Sequence, residues 1–268
     1  MLKLQTQFYW QNILETAKIE GYPLNKKRAL IREYLQSKFL YFLYMQKESA
    51  KLSFIGGTSL RLLHNLDRFS EDLDFDNLGL KNNVLRSILN KTAKQISKLG
   101  FALEFNLKIQ NKTGVGYLKF AEGLLKNIGA SQDPKEKLHI KIDIKEPEIG
   151  VKPNVCLLTK FDCAQNIVSH NLETLLSQKT LAFLRRKSPR GRDIYDIFWL
   201  MSKNIKPNIK VLQKFGIKNT ADYWQALAKK YAELQPKMKY LKKQLQPFLF
   251  DEAKIKYLDM FKTLLKSA

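Results

Sequence analysis

The sequence predicts an α+β protein: a mixed-sheet core with helices against it, followed by a helical second half. Three observations lead there. Apolar and polar residues alternate with period two over residues 101–109, 115–120 and 138–144, the pattern of half-buried strands. Before them, over 6–20 and 26–47, apolar residues recur at helical spacing. After Pro153 strand signals nearly vanish and helical spacing dominates. The expected division is residues 1–152 for the sheet domain with its N-terminal helices and 153–268 for the helical domain.

Taken in order, Ile13 and Ala17 mark the apolar stripe of a first helix, and Leu30, Tyr34, Leu35, Leu40, Leu43 and Tyr44 mark a second. Gly21-Tyr22-Pro23 separates the two. The aromatic stripe of the second helix reads as core lying against the sheet. Residues 52–55 form the first strand, 58–66 a helix and 73–75 the second strand. Residues 81–98 read as a helix closed by Gly100. The three alternating segments follow, with 123–137 as a loop between two of them. In the second half, 159–168, 172–187, 193–202, 221–234, 236–248 and 252–265 all read as helices.

The chain has 268 residues, enough for a sizeable core in one large domain or two small ones. Its 47 Lys and Arg against 25 Asp and Glu leave a net charge of +22. Such a surface repels itself unless a polyanion is its usual company, and nucleic acid is the leading candidate. Residues 201–268 carry 15 Lys against 5 acidic residues, so much of the excess sits on the helical half. Cys156 and Cys163 are too few for a disulfide framework, and His64, His139 and His170 do not cluster with them into a zinc pattern. No apolar run approaches a membrane span and the N-terminus lacks an export signal, so a cytoplasmic protein with reduced cysteines is expected.

The stretch with most chemistry is 54–76. Gly56 and Gly57 let the backbone bend sharply and approach an anion, and a helix starting near Thr58 would aim its free N–H groups, with the hydroxyls of Thr58 and Ser59, at a phosphate. In Asp72-Leu73-Asp74-Phe75-Asp76 the period is two, so on a strand the carboxylates share one face while Leu73 and Phe75 enter the core. Like charges on one face repel, and a divalent cation there would relieve them. Either feature alone is usually structural, a turn or a solvated edge. Their succession is what points to a phosphate grip followed by a metal grip.

Two later segments add candidates. In Ile140-Lys141-Ile142-Asp143-Ile144-Lys145 the polar residues share one strand face. On the same sheet as Asp72 and Asp74, Asp143 would be a third carboxylate. Lys179 interrupts the apolar neighbourhood of an amphipathic helix, where a snorkelling side chain is the plain alternative. The run from Arg185 to Arg192 is dense in forked donors suited to phosphate, and Asp193 stands where it would cap or charge the first turn of the next helix.

Gly56-Gly57-Thr58 followed by Arg68-Phe69-Ser70-Glu71-Asp72-Leu73-Asp74-Phe75 resembles the signature of the AbiEii/AbiGii-type nucleotidyltransferase toxins, a branch of the DNA polymerase β-like superfamily. Gly191-Arg192-Asp193-Ile194-Tyr195-Asp196 resembles that family's Arg-Asp-x-x-Asp motif. The resemblance covers about residues 25 to 205 and matches nothing after about Pro207. It implies an enzyme moving a nucleoside monophosphate from an NTP to an acceptor hydroxyl. Asp72, Asp74 and Asp143 would be the metal ligands, holding two Mg2+ ions, with Asp143 helping to activate the attacking hydroxyl. Gly56, Gly57, Thr58, Ser59, Arg68, Ser70, Lys179 and Arg192 would contact the nucleotide, and Lys179, Asp193 and Asp196 would belong to the active site, the helical domain completing it. It further implies the toxin of a toxin–antitoxin pair acting on RNA, with tRNA 3' ends as target. Two rivals stand beside this reading: a catalytically retired core that binds nucleic acid or a partner, and a small-molecule nucleotidyltransferase.

Overall fold

In the computed structural model, residues 2–148, 150 and 152–266 are described. The chain divides into two compact units, one formed by Met1–Asn65 with Phe69–Ser169 and the other by Leu66–Arg68 with His170–Ala268.

The first unit runs α1 (Leu2–Ile19), α2 (Lys27–Tyr44), β1 (Leu52–Ile55), α3 (Gly56–His64), β2 (Leu73–Asn77), α4 (Asn82–Lys98), β3 (Leu103–Gln110), β4 (Thr113–Phe120), a short α5 (Leu124–Asn127), β5 (His139–Lys145), β6 (Asn154–Lys160) and β7 (Cys163–Ser169). Its strands form one mixed sheet in the order β3-β4-β5-β2-β1-β7-β6. Only β2–β5 and β1–β7 pair in parallel. Strand alternation sorts side chains by face. Phe54, Phe75, Leu118, Ile142 and Ile144 are at most 1% exposed. Burying side chains of this size contributes about 1.5–3 kcal/mol each, which fixes the register, since a one-residue slip would turn the whole set outward. The other face carries Asp74, Asp143, Val115 and Tyr117.

Helix α2 is buried on nearly every side, as its aromatic stripe predicts, yet it also buries Glu33, Gln36 and Lys38. Each has a partner outside the helix. Glu33 accepts from Arg61 Nε and from the Tyr22 hydroxyl. Gln36 donates to the carbonyls of Ser70 and Glu71, and Lys38 pairs with Asp162 at 2.6 Å. The helix therefore sets the loop before β2 and the turn between β6 and β7.

The second unit consists of α6 (Leu172–Arg185), α7 (Gly191–Ser202), α8 (Ile209–Gln213), α9 (Thr220–Leu234), α10 (Met238–Leu245) and α11 (Tyr257–Lys266), with short 3-10 turns between the last ones. Helix α7 is the hub: Ile194, Tyr195, Asp196, Ile197 and Leu200 are fully buried. Gly191 at its start lets α10 come close, because a Cβ there would lie 2.9 Å from the Leu241 carbonyl carbon.

One segment corrects the sequence expectation. Residues 159–168, read as a helix, are the last two residues of β6, a two-residue turn and all but the last residue of β7. Phe161 opens that two-residue turn at φ 53°, a region usually left to Gly or Asn. Tertiary contacts hold it: its ring meets Tyr22 and Tyr34, and Asp162 meets Lys38. Two smaller differences are α5 inside the expected 123–137 loop and α8, which had no counterpart.

Candidate active site

The first unit gathers the glycine pair and two of the carboxylates at one sheet position. Strand β1 ends at Ile55, and α3 starts at Gly56 with φ +81°, a conformation that costs a residue with a Cβ about 1–2 kcal/mol. A Cβ on residue 56 would lie 3.0 Å from Asp74 Cγ and closer still to Oδ2. The absence of a side chain at Gly56 is therefore the space that the Asp74 carboxylate occupies. Ile55 is the register partner of Asp74 on β1, and Asp143 is its partner on β5. Asp74 and Asp143 stand side by side on adjacent strands, both half-buried.

Asp72 immediately precedes β2, and three groups set its backbone. The Thr58 hydroxyl donates to its carbonyl. Gln36 holds the carbonyls of Ser70 and Glu71, and Arg32 pairs with Glu71 at 3.0 Å. Lys141 donates to Asp143 Oδ2 at 2.6 Å. That hydrogen bond is the main reason the Lys141 ammonium is held above the ordinary lysine range, with the field of Asp72 contributing. Asp76, the third carboxylate of the run, is 5% exposed and sits opposite Ser53.

The hydroxyls differ from expectation. Thr58 and Ser59 are fully buried, Thr58 spent on Asp72 and Ser59 sharing a 3.0 Å hydrogen bond with Ser169. No side chain caps the start of α3. The donors left for an anion at Gly56-Gly57 are main-chain N–H groups, as at other helix N-termini that bind phosphate. Ser70 takes part through its carbonyl, bonded by Gln36.

The second unit holds the other candidates. Asp196 is fully buried and shared by two cations: Arg68, with Nε and Nη2 each at 2.6 Å from one oxygen, and Lys179, with Nζ at 2.7 Å. Burial would push the Asp196 carboxyl up, but Arg68 and Lys179 outweigh it and hold the group below the usual Asp range. Arg68 is 1% exposed, whereas 16% of the Lys179 side chain is exposed. The geometry makes Arg68 a brace for Asp196 and leaves Lys179 as the cation that reaches the surface. Asp193 accepts from Arg186 at 2.6 Å and from the Arg190 main chain at 2.9 Å, so it closes the first turn of α7. Arg192 lies over the Phe248 ring at 5.2 Å.

Carboxylate oxygens alone suit a hard divalent cation. Among the described residues, no three His, Cys, Asp or Glu side chains form a complete metal-holding group. Asp72, Asp74 and Asp143, expected together as metal ligands, therefore do not form a ready-made three-carboxylate group. The cysteines are outside this chemistry. Cys163 is buried, its thiol pushed up to about 12 chiefly by burial.

Gln36 and Arg32 were missed in the sequence because they lie on a helix some 35 residues before the loop they hold, with no local motif to mark them. The pairing of Arg68 with Asp196, 128 positions apart, was equally invisible, although both residues had been singled out.

A family model described as nucleotidyl transferase AbiEii toxin, type IV toxin–antitoxin system, matches residues 38–267. The match includes the C-terminal helices, for which no motif was found in the sequence. Among solved structures, JHP933 from Helicobacter pylori is 20% identical over 89% of this chain and 92% of its own, with a TM-score of 0.56. A protein of the same organism, provisionally assigned as a nucleotidyltransferase, is 19% identical over 89% of this chain and 95% of its own, with a TM-score of 0.53. At these identities the likeness is one of fold. No curated protein matches significantly.

Proposed function

The chain belongs to the AbiEii nucleotidyltransferase toxin family, and on that premise we propose that it transfers a nucleoside monophosphate from an NTP to the 3' hydroxyl of an RNA, with tRNA as the target class: the hydroxyl oxygen bonds to the α-phosphorus, the bond to the β-phosphate breaks and pyrophosphate leaves. Membership in a type IV toxin–antitoxin family implies a nucleotide substrate and an antitoxin partner. No helix among the described residues is long and apolar enough to cross a membrane.

The observation that carries the reading is the juxtaposition of Gly56, Asp74 and Asp143. Asp72 and Asp74 would hold a divalent cation, Mg2+ in our reading, with Asp143 beside them. When bound, the cation supplies charge neutralisation at the reacting phosphate and orients it. The main-chain N–H groups opening α3 bind the phosphates, and the glycine brings them within reach of Asp74. Asp143 accepts a hydrogen bond from the incoming hydroxyl and draws its proton away from the attacking oxygen. Lys179, oriented by Asp196 within the second unit, is assigned to the triphosphate on the family motif alone. Arg68, Asp193 and Asp196 act as positioning residues. Catalysis of this kind is mostly placement and electrostatics, and it requires no Ser or Cys nucleophile.

The surplus of Lys and Arg favours an RNA acceptor over a cationic small molecule. Incubation with each α-labelled NTP, a divalent cation and total cellular RNA tests the assignment. Label should enter RNA; label entering a small molecule or protein instead would remove the RNA acceptor.

A further inference from the structure

We infer that the open face of β5, β4 and β3 is the track along which a single-stranded RNA end reaches Asp143. This rests on the transfer reading above and gives its acceptor a place. The register of the sheet defines two adjacent rows. In one, Asp74 neighbours Asp143, Asp143 neighbours Val115 and Val115 neighbours Lys108. In the other, Lys141 neighbours Tyr117 and Tyr117 neighbours Asn106. Val115 is 39% and Tyr117 38% exposed, whereas Gly116 and Leu118 between and beyond them face the buried side. Tyr117 is the diagonal neighbour of Asp143, a separation of about 7–8 Å in a sheet of this kind. A groove of about 760 Å3 adjoins the first row, lined in part by Lys108, Val115, Asp143 and Lys145, with Tyr117 and the second row outside its lining.

A half-exposed aromatic ring among cations, on a sheet face that leads to paired carboxylates on β5 and β2, has the chemistry that single-stranded nucleic acid needs. A base stacks on the ring, and the backbone phosphates meet the lysines. Lys108, Lys119, Lys141 and Lys145 share this face with Glu104 and Asp143 as its acids on these three strands. Glu104 is engaged by Asn106 at 2.9 Å and lies opposite Lys119. The charge balance favours a negative partner over a neutral peptide, and the exposed Tyr117 ring favours a polynucleotide over an acidic protein face, because a base can stack on it. One exposed Tyr would mean little by itself; its register beside the carboxylates is what gives it a role.

The test uses the full chain and a fluorescent single-stranded RNA of about 12 nucleotides with a free 3' hydroxyl, within the range of site sizes known for such surfaces. Binding is followed by anisotropy over a salt series for wild type, Tyr117→Ala, Tyr117→Phe and the double variant Lys108→Gln with Lys119→Gln. NTP binding is measured in parallel. Tyr117→Ala should weaken RNA binding roughly tenfold or more while Tyr117→Phe retains it, because the ring and not the hydroxyl stacks. The double variant should lower the salt slope by about 1.4, from about 0.7 per phosphate contact. NTP affinity should stay within about twofold throughout. RNA affinity unchanged in all variants would overturn the track and leave the transfer reading standing. NTP affinity that falls in step with RNA affinity would likewise overturn the track, and wild type that binds no RNA would overturn the track and the RNA acceptor together. Wild type that binds through these residues but labels no RNA with any NTP would support the track and count against the transfer reading.

Discussion

Gly56 and Asp74 share one space: the carboxylate of Asp74 lies where a side chain at position 56 would begin. In the sequence they belong to two separate features, a flexible turn and an acidic strand. In the fold they meet because β1 and β2 are antiparallel neighbours, with Ile55 opposite Asp74. The glycine is needed twice, for its positive φ and for the room it leaves.

Gly56→Ala should therefore damage transfer more than stability. The backbone penalty is about 1–2 kcal/mol, but the added methyl must displace the Asp74 carboxylate, and catalytic groups tolerate little misplacement. Transfer is expected to fall at least about 100-fold, with a loss of unfolding free energy of only about 1–2 kcal/mol. Activity and stability falling by equivalent amounts would indicate a purely structural glycine.

Lys179→Ala should raise the KM for NTP by about tenfold or more, the value of a charge-assisted hydrogen bond to phosphate. Lys229→Ala, on the exposed side of α9, should leave it unchanged. Equal effects of the two substitutions would remove Lys179 from the nucleotide. Steady-state kinetics with NTP varied at fixed RNA reads both.

Asp196→Asn should destabilise the protein by about 3–5 kcal/mol, because Arg68 and Lys179 would lose the charge that offsets their desolvation. The folded carboxyl titrates below its unfolded value near 3.9. Its contribution is thus complete above that value and is lost as pH falls through the folded pKa. The stability gap between wild type and variant, read by urea unfolding, should be flat from about pH 7 to 5 and close only below about pH 4. A gap that closes near neutrality would contradict the ion-pair account.

The readable parts of the fold were those with local periodicity. Strands β1 and β5 and helices α4, α6 and α7 follow from alternation or helical spacing, and their limits fall within two residues or so of expectation. The hairpin of β6 and β7 did not, because its turn lacks the Asn-Gly or Asp-Gly pair that marks such loops. Phe161 is held at positive φ by the rings of Tyr22 and Tyr34, more than 120 residues earlier. The candidate carboxylates were legible from their period of two and from family resemblance. What no local pattern carries is the way Thr58, Gln36 and Arg32 fix the backbone around Asp72, or the partners that bury Arg68 and Asp196.

The central claim is that Asp74, set beside Gly56 and Asp143, holds the cation required for transfer. Incorporation of label from an α-labelled NTP into RNA, followed over a Mg2+ titration for wild type and Asp74→Asn, tests it most directly. Wild type should require the cation, and the variant should transfer at least about 1000-fold more slowly, corresponding to about 4 kcal/mol of lost transition-state stabilisation, while unfolding no earlier than wild type. An Asp74→Asn variant that matches wild type in rate and cation dependence would contradict the account.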